Sequence, residues 1–74
     1  MECEEAERIA REYGDSILRL CVMYLHDVHL AQDAAQDSLL KIQRRYGSFR
    51  GECSEKTFIM RIVSNTCRDY YRSS

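Results

Sequence analysis

The 74-residue chain contains no proline and only three glycines, Gly14, Gly47 and Gly51. Without proline no residue forces a backbone break, and scarce glycine leaves long stretches free to run as helix. No run of about 18 apolar residues occurs, so no segment is suited to span a membrane. The N-terminus, MECEEAER, is acidic where a secretory leader would be basic and then apolar, which makes the cytoplasm the expected location. The four cysteines, Cys3, Cys21, Cys53 and Cys67, form no C-x-x-C pair, and a disulfide framework is not expected. Histidine is limited to His26 and His29, whose spacing beside one helical cysteine does not match a zinc site. No metal or cofactor is therefore expected. Enzyme signatures are missing too: there is no Gly-rich phosphate loop, no G-x-S-x-G and no H-E-x-x-H. Asp33 and Asp37 share a helical face, but so short a chain offers them little concavity, so catalysis is not expected.

What is present favours helix: Ala, Leu, Ile, Glu, Arg and Gln abound. The length leaves room for one small domain, residues 1–74, and no second. Such a chain buries only about 60% of the surface its unfolded form exposes, so modest stability is expected. A first helix is expected from about Glu4 to Leu25, with Ile9, Tyr13, Ile17, Leu20, Cys21 and Tyr24 as its apolar stripe. Gly14 inside it either costs helix stability or marks a bend. Asp27 in the HDVH connection is placed to cap a second helix, Val28 to Arg45. Ala31, Ala35, Leu39 and Ile42 form that helix's expected core stripe at about 100° per residue. The stretch YGSFRGECS, 46–54, reads as a long connection of the kind that carries function. Ser54 then caps a third helix, about Glu55 to Tyr71, with Glu55 at the positive end of its dipole. Ile59, Ile62, Val63, Thr66 and Tyr70 make its core stripe, and Cys21 and Cys67 read as small buried hydrophobes. The fold class is all-α, a small three-helix bundle.

The net charge of −1 conceals a division. Residues 1–37 hold nine acids against three bases, a balance of −6, and residues 38–74 hold eight bases against three acids, a balance of +5. Two surfaces with different partners are implied, the basic one suited to a polyanion. On the second helix, Leu40 lies amid Asp33, Gln36, Asp37 and Arg44. That is either an apolar contact ringed by charges that set register, or a solvated face with one stray leucine. The second surface joins Phe49 and Arg50 of the connection to Lys56, Phe58, Arg61, Asn65 and Arg68 of the third helix. Cations interleaved with aromatics suit single-stranded nucleic acid, and Asn65 could hydrogen-bond a base edge. Equally, Phe58 could belong to the core and the arginines to a solvated face.

Both surfaces occur together in one family. Residues 31–72, AQDAAQDSLLKIQRRYGSFRGECSEKTFIMRIVSNTCRDYYR, resemble region 2 of bacterial RNA polymerase sigma factors of the extracytoplasmic-function type. The family pattern A-E-D-x-x-Q-[ED]-x-[FL]-x-[KR]-[LI] is met by Ala31, Asp33, Gln36, Asp37, Leu39, Lys41 and Ile42. Its s-F-R-G follows as Ser48, Phe49, Arg50 and Gly51, its R-I-x-x-N as Arg61, Ile62 and Asn65, and its D-x-x-R as Asp69 and Arg72. YGDSILRLCVMYLHD fits the family's first helix more loosely, so the likeness spans about residues 13–72.

The resemblance implies that Asp33, Gln36 and Asp37, with Leu40 and Arg44, meet the clamp coiled coil of the largest subunit of core RNA polymerase. It implies that the loop and third helix recognise and open the promoter −10 element, with Phe49, Arg50, Gly51 and Asn65 holding a base flipped from its non-template strand. Lys56, Arg61 and Arg68 would contact the DNA backbone, and an anti-sigma factor is an implied partner to which no residue here is assigned. Two positions depart from the pattern. Phe58 stands where the family has tryptophan, which puts stacking there in doubt, and Gln32 replaces a carboxylate. The family's second DNA-binding domain, which reads the −35 element, does not fit within 74 residues, and an excised domain is the expected explanation. The reading from another class is a helical protein–protein interaction module with no nucleic-acid binding.

Overall fold

The computed structural model describes residues 3–73, in which three helices follow one another: α1 over Cys3–Leu25, α2 over Val28–Arg45 and α3 over Glu55–Ser73. The link between α1 and α2 is only His26 and Asp27. His26 takes the left-handed conformation, φ 56°, and its N–H donates to the Val22 carbonyl at 2.8 Å. Helices commonly stop this way, though glycine usually holds the position because a Cβ is strained there. Asp27 is extended, and its carboxylate accepts the His29 and Leu30 N–H groups at 2.9 and 3.1 Å, the cap its sequence position suggests. So short a link makes α1 and α2 antiparallel neighbours.

The connection to α3 begins as structure rather than loop. Tyr46–Ser48 form one 3₁₀ turn that tightens the end of α2, and the Tyr46 N–H donates to the Ile42 carbonyl. Gly51 is left-handed at φ 78°, where only glycine is unstrained. Ser54 then caps α3, its Oγ accepting the Thr57 N–H at 3.1 Å.

The core draws on all three helices: Ile9, Ile17, Cys21 and Leu25 from α1, Ala31, Ala34 and Ile42 from α2, and Ile59, Ile62, Val63 and Cys67 from α3. Two expectations shift. On α2 the fully buried set is Ala31, Ala34, Ser38 and Ile42, whereas Ala35 and Leu39 are half-buried. The buried stripe is thus rotated by roughly 50° from the one hydrophobicity suggests, at about 100° per residue. Ser38 enters the core because its hydroxyl donates to the Ala34 carbonyl at 2.7 Å, which removes the cost of burying it. On α1, Tyr24 is exposed and Leu25 takes the buried place instead. Thr66 is buried on the same terms as Ser38, donating to the Ile62 carbonyl at 2.9 Å. Among the described residues no buried side-chain nitrogen or oxygen lacks a partner.

Cys21 and Cys67 are free, buried thiols, as expected, and their Sγ atoms meet at 3.3 Å where α1 faces α3. Burial pushes the Cys21 thiol up to about 12 and raises that of Cys67. No helix among the described residues is long and apolar enough to cross a membrane.

Candidate functional site

Two outward surfaces emerge, one on α2 and one on α3 with the connection before it. On α2, Asp33, Gln36, Leu40 and Arg44 are exposed, Leu40 by 52%. The helical repeat brings Gln36 and Arg44 within one turn of Leu40 and sets Asp33 two turns away on the same side. Leu40 is not isolated among polar groups. It lines a groove of about 270 Å³ between α1 and α2, together with Ala6, Ala10 and Leu39.

Asp37 differs from its neighbours on this ridge. It is half-buried, and its Oδ2 accepts the Tyr70 hydroxyl of α3 at 2.6 Å. The same hydroxyl lies 3.4 Å from the Asp33 carbonyl oxygen. The bond to Asp37, aided by burial, pushes the Tyr70 phenol up to about 12. One carboxylate of the ridge is therefore held from α3, while Asp33 projects freely. Sequence spacing on α2 could not have revealed this, because Tyr70 lies 33 residues away.

On α3, Lys56, Arg61, Asn65 and Arg68 are all exposed and line one shallow depression of about 460 Å³. Thr57, Met60 and Ser64 complete its wall. Sequence reasoning passed over these three, although their spacing of three and four residues placed them on the same face. The depression offers three cations, an amide and two hydroxyls, a set able to neutralise phosphates and hydrogen-bond a base edge.

Phe49, Arg50 and Gly51 are not among the residues lining that depression. Phe49 is half-buried and stacks on Phe58, with ring centroids 4.6 Å apart and planes 26° apart. Tyr46 closes the cluster, 5.9 Å from Phe49 and edge-on to Phe58 at 6.2 Å. Phe58 also packs on the core, so one side of its ring serves the fold and Phe49 covers part of the rest. The cluster adjoins the cationic face, since Phe58, Arg61 and Asn65 succeed one another at intervals of three and four along α3. Arg50 and Gly51 are exposed at the outer turn.

Glu55 sits at the foot of this loop. Its carboxylate accepts both terminal nitrogens of Arg8, at 2.6 and 3.1 Å, and the hydroxyls of Tyr46 at 2.8 Å and Tyr13 at 3.2 Å. Arg8 also bonds Glu5 and Glu12 on α1. The Arg8 guanidinium holds the Glu55 carboxyl below the usual range, and the tyrosine bonds lower it further. The two phenols move the other way: Tyr46 is raised chiefly by its bond to Glu55, Tyr13 chiefly by burial.

These surfaces define a class: a three-helix module with a polar, leucine-centred ridge on one helix and a cationic face beside an aromatic cluster on another. The Sigma-70 region 2 family matches residues 9–74. The chain is 39% identical over 59 residues to an RNA polymerase sigma-H factor of Pseudomonas aeruginosa, covering 80% of this chain and 31% of that protein. It is 32% identical over 69 residues to the RNA polymerase sigma factor YlaC of Bacillus subtilis, covering 93% and 40%. It is 34% identical over 55 residues to the ECF RNA polymerase sigma factor SigG of Mycobacterium tuberculosis, covering 74% and 15%. The chain thus spans between 15 and 40% of the length of these relatives. No solved structure matches it. The chain belongs to the Sigma-70 region 2 family.

Proposed function

We propose that this chain works in transcription initiation, docking on the clamp coiled coil of core RNA polymerase through α2 and engaging melted −10 promoter DNA through residues 46–54 and α3. The observation that carries the reading is the separation of the two exposed surfaces. Asp33, Gln36 and Leu40 present acceptors around an apolar contact on α2, while Lys56, Arg61, Asn65 and Arg68 surround one depression on α3. In this reading the ridge meets a partner with cationic and apolar groups, and Asp37 contributes from a position already fixed by Tyr70.

The cations of α3 neutralise phosphates and release counterions, which gives affinity without sequence preference. Asn65 supplies the preference, since a carboxamide can pair with an adenine edge through two hydrogen bonds. A base flipped from the non-template strand loses a few kcal/mol of stacking, which a preformed pocket offsets. Phe49, Arg50 and Gly51 would border that pocket, with Phe58 supporting Phe49 from beneath rather than receiving a base itself. Cytoplasmic location and an anti-sigma partner accompany the reading as properties of the family.

Fluorescence anisotropy with a labelled single-stranded −10-like oligonucleotide, at low and moderate salt and with or without core polymerase, tests the reading. The expected result is a preference for one short sequence and a salt slope of several negative units. Binding that is absent or insensitive to salt even with polymerase present would overturn it in favour of a protein–protein interaction module.

A further inference from the structure

The Glu55 carboxylate is the point at which α1, the 3₁₀ turn and α3 converge. All four of its hydrogen bonds come from residues remote in sequence or across the connection: two from Arg8, one from Tyr13 and one from Tyr46. Its side chain is 23% exposed, so these bonds are better shielded than those of an open surface pair. The Arg8 contact is the paired, two-nitrogen form that fixes orientation as well as distance. Only the Tyr46 bond leads into the loop. Its ring touches both Phe49 and Phe58, and Phe49 in turn stacks on Phe58. The contacts form a closed circuit from α1 through Glu55 to Tyr46, on to Phe49 and Phe58, and back along α3 to Glu55. Within the loop, the Phe49 N–H donates to the Tyr46 carbonyl at 3.0 Å, so fixing Tyr46 also fixes the start of the segment that carries Arg50 and Gly51.

We propose that Glu55 is a positioning residue for nucleic-acid binding: held by Arg8, it accepts the Tyr46 hydroxyl and so keeps the aromatic cluster, and with it the 46–54 loop, in register with the cationic face of α3. The proposal rests on the reading that this face binds DNA. Its mechanism is preorganisation, because a loop already held in its bound pose loses less freedom when ligand arrives. It assigns α1 a part in DNA binding, through Arg8, although no α1 residue lines the depression.

Tyr46→Phe removes a single oxygen and keeps the ring, and Glu55→Gln keeps the size of the side chain while discarding its charge. Both are compared with the unaltered chain for oligonucleotide affinity, for capture by core polymerase, for melting temperature, and for the contact between the Phe49 and Phe58 rings seen by nuclear magnetic resonance. For Tyr46→Phe the expected result is a fall of about three- to tenfold in oligonucleotide affinity and a weakened ring contact, with melting shifted by only a few degrees. Glu55→Gln should lose more affinity and some melting temperature, and neither variant should alter polymerase capture. Affinity of Tyr46→Phe within twofold of the unaltered chain, with the ring contact intact, overturns the proposal, as does a loss confined to melting temperature. An unaltered chain that binds no oligonucleotide even with core polymerase present refutes the DNA reading itself, and the proposal with it, which the control reveals before any variant is compared.

Discussion

The ridge on α2 and the surface formed by the loop and α3 reach their geometry by different routes. Three of the four exposed ridge residues, Gln36, Leu40 and Arg44, are placed by one turn-to-turn repeat of a single helix, and Asp33 by the same repeat one step earlier. Nothing else in the molecule has to be correct for them to share a side. The loop surface is composite. Its cations lie on α3, its aromatics come from the connection as well as α3, and the anchor at its foot reaches back to Arg8 on α1. A ridge built within one helix tolerates change elsewhere. A composite surface is disturbed by substitutions that never touch its ligand.

The largest separation of the two should come from charge reversal on the ridge. Asp33→Lys combined with Gln36→Lys is expected to weaken polymerase capture by on the order of a hundredfold, because like charges would face each other across the interface. Oligonucleotide affinity should not fall, and melting should barely move, since both positions are exposed. The pair Asp33→Lys with Asp37→Lys should also lose capture, but with a lower melting temperature, because it breaks the bond from Tyr70. Loss of oligonucleotide binding in the first variant would show that the two surfaces are not independent. Next in size are changes on α3. Asn65→Ala should cost about 1–3 kcal/mol of discrimination between sequences, whereas Arg68→Ala should weaken all sequences alike and reduce the salt slope by about 1. Equal, unselective losses from both would remove direct base reading from Asn65.

Alkaline pH offers a gentler contrast. Tyr70, Tyr46 and Tyr13 hold their protons more tightly in the folded chain than in the unfolded one, as do Cys21 and Cys67. For each, the unfolded form loses its proton first, so the contribution is fully present below the ordinary value and disappears as pH rises through the folded one. Stability should therefore fall from about pH 9, where free thiols ionise, towards about 12, the folded value of Tyr70 and Cys21. Tyr70→Phe should be less stable by about 1 kcal/mol near neutrality and should lose less on the way up, as thermal melts across that range would register. Glu55 works in the opposite sense: its depressed carboxyl contributes stability that is lost as pH falls through its folded value. The smallest effect belongs to Gly14. A Cβ built there meets nothing within 4 Å, so Gly14→Ala should add about 0.5–1 kcal/mol by helix propensity alone. If either surface changed its affinity in that variant, α1 would be coupled to it through more than the Arg8 contact.

Much of the architecture was legible beforehand for local reasons. The bounds of α2, the Asp27 and Ser54 caps, and the α3 core stripe up to Thr66 depend on neighbours within a turn. The exposure of Asp33, Gln36, Asn65 and the α3 cations followed from the same periodicity. What hydrophobicity and periodicity leave out is what individual side chains bond to. Hydrophobicity favoured Leu39 over Ser38 for the α2 core, yet Ser38 is the small residue that satisfies itself on Ala34. Glu55 read as a dipole residue at the start of α3, but its partners are Arg8, Tyr13 and Tyr46. Phe49 and Phe58 read as aromatics of the basic surface, Phe58 equally as a core residue, and the structure stacks the two on each other with Phe58 against the core.

Periodicity, capping chemistry and the uneven spread of charge dictated three helices, a leucine-centred polar ridge and a cationic face, because each depends on interactions that span at most a turn or on the sign of exposed groups. Which way α2 rolls into the core, which ridge carboxylate is tied down by Tyr70, and how Glu55 fastens the loop were decided only once the helices met. The Tyr70 and Glu55 bonds join residues 9 to 47 positions apart, and no local pattern encodes the closure of such distances; the roll of α2 is set by packing against α1 and α3.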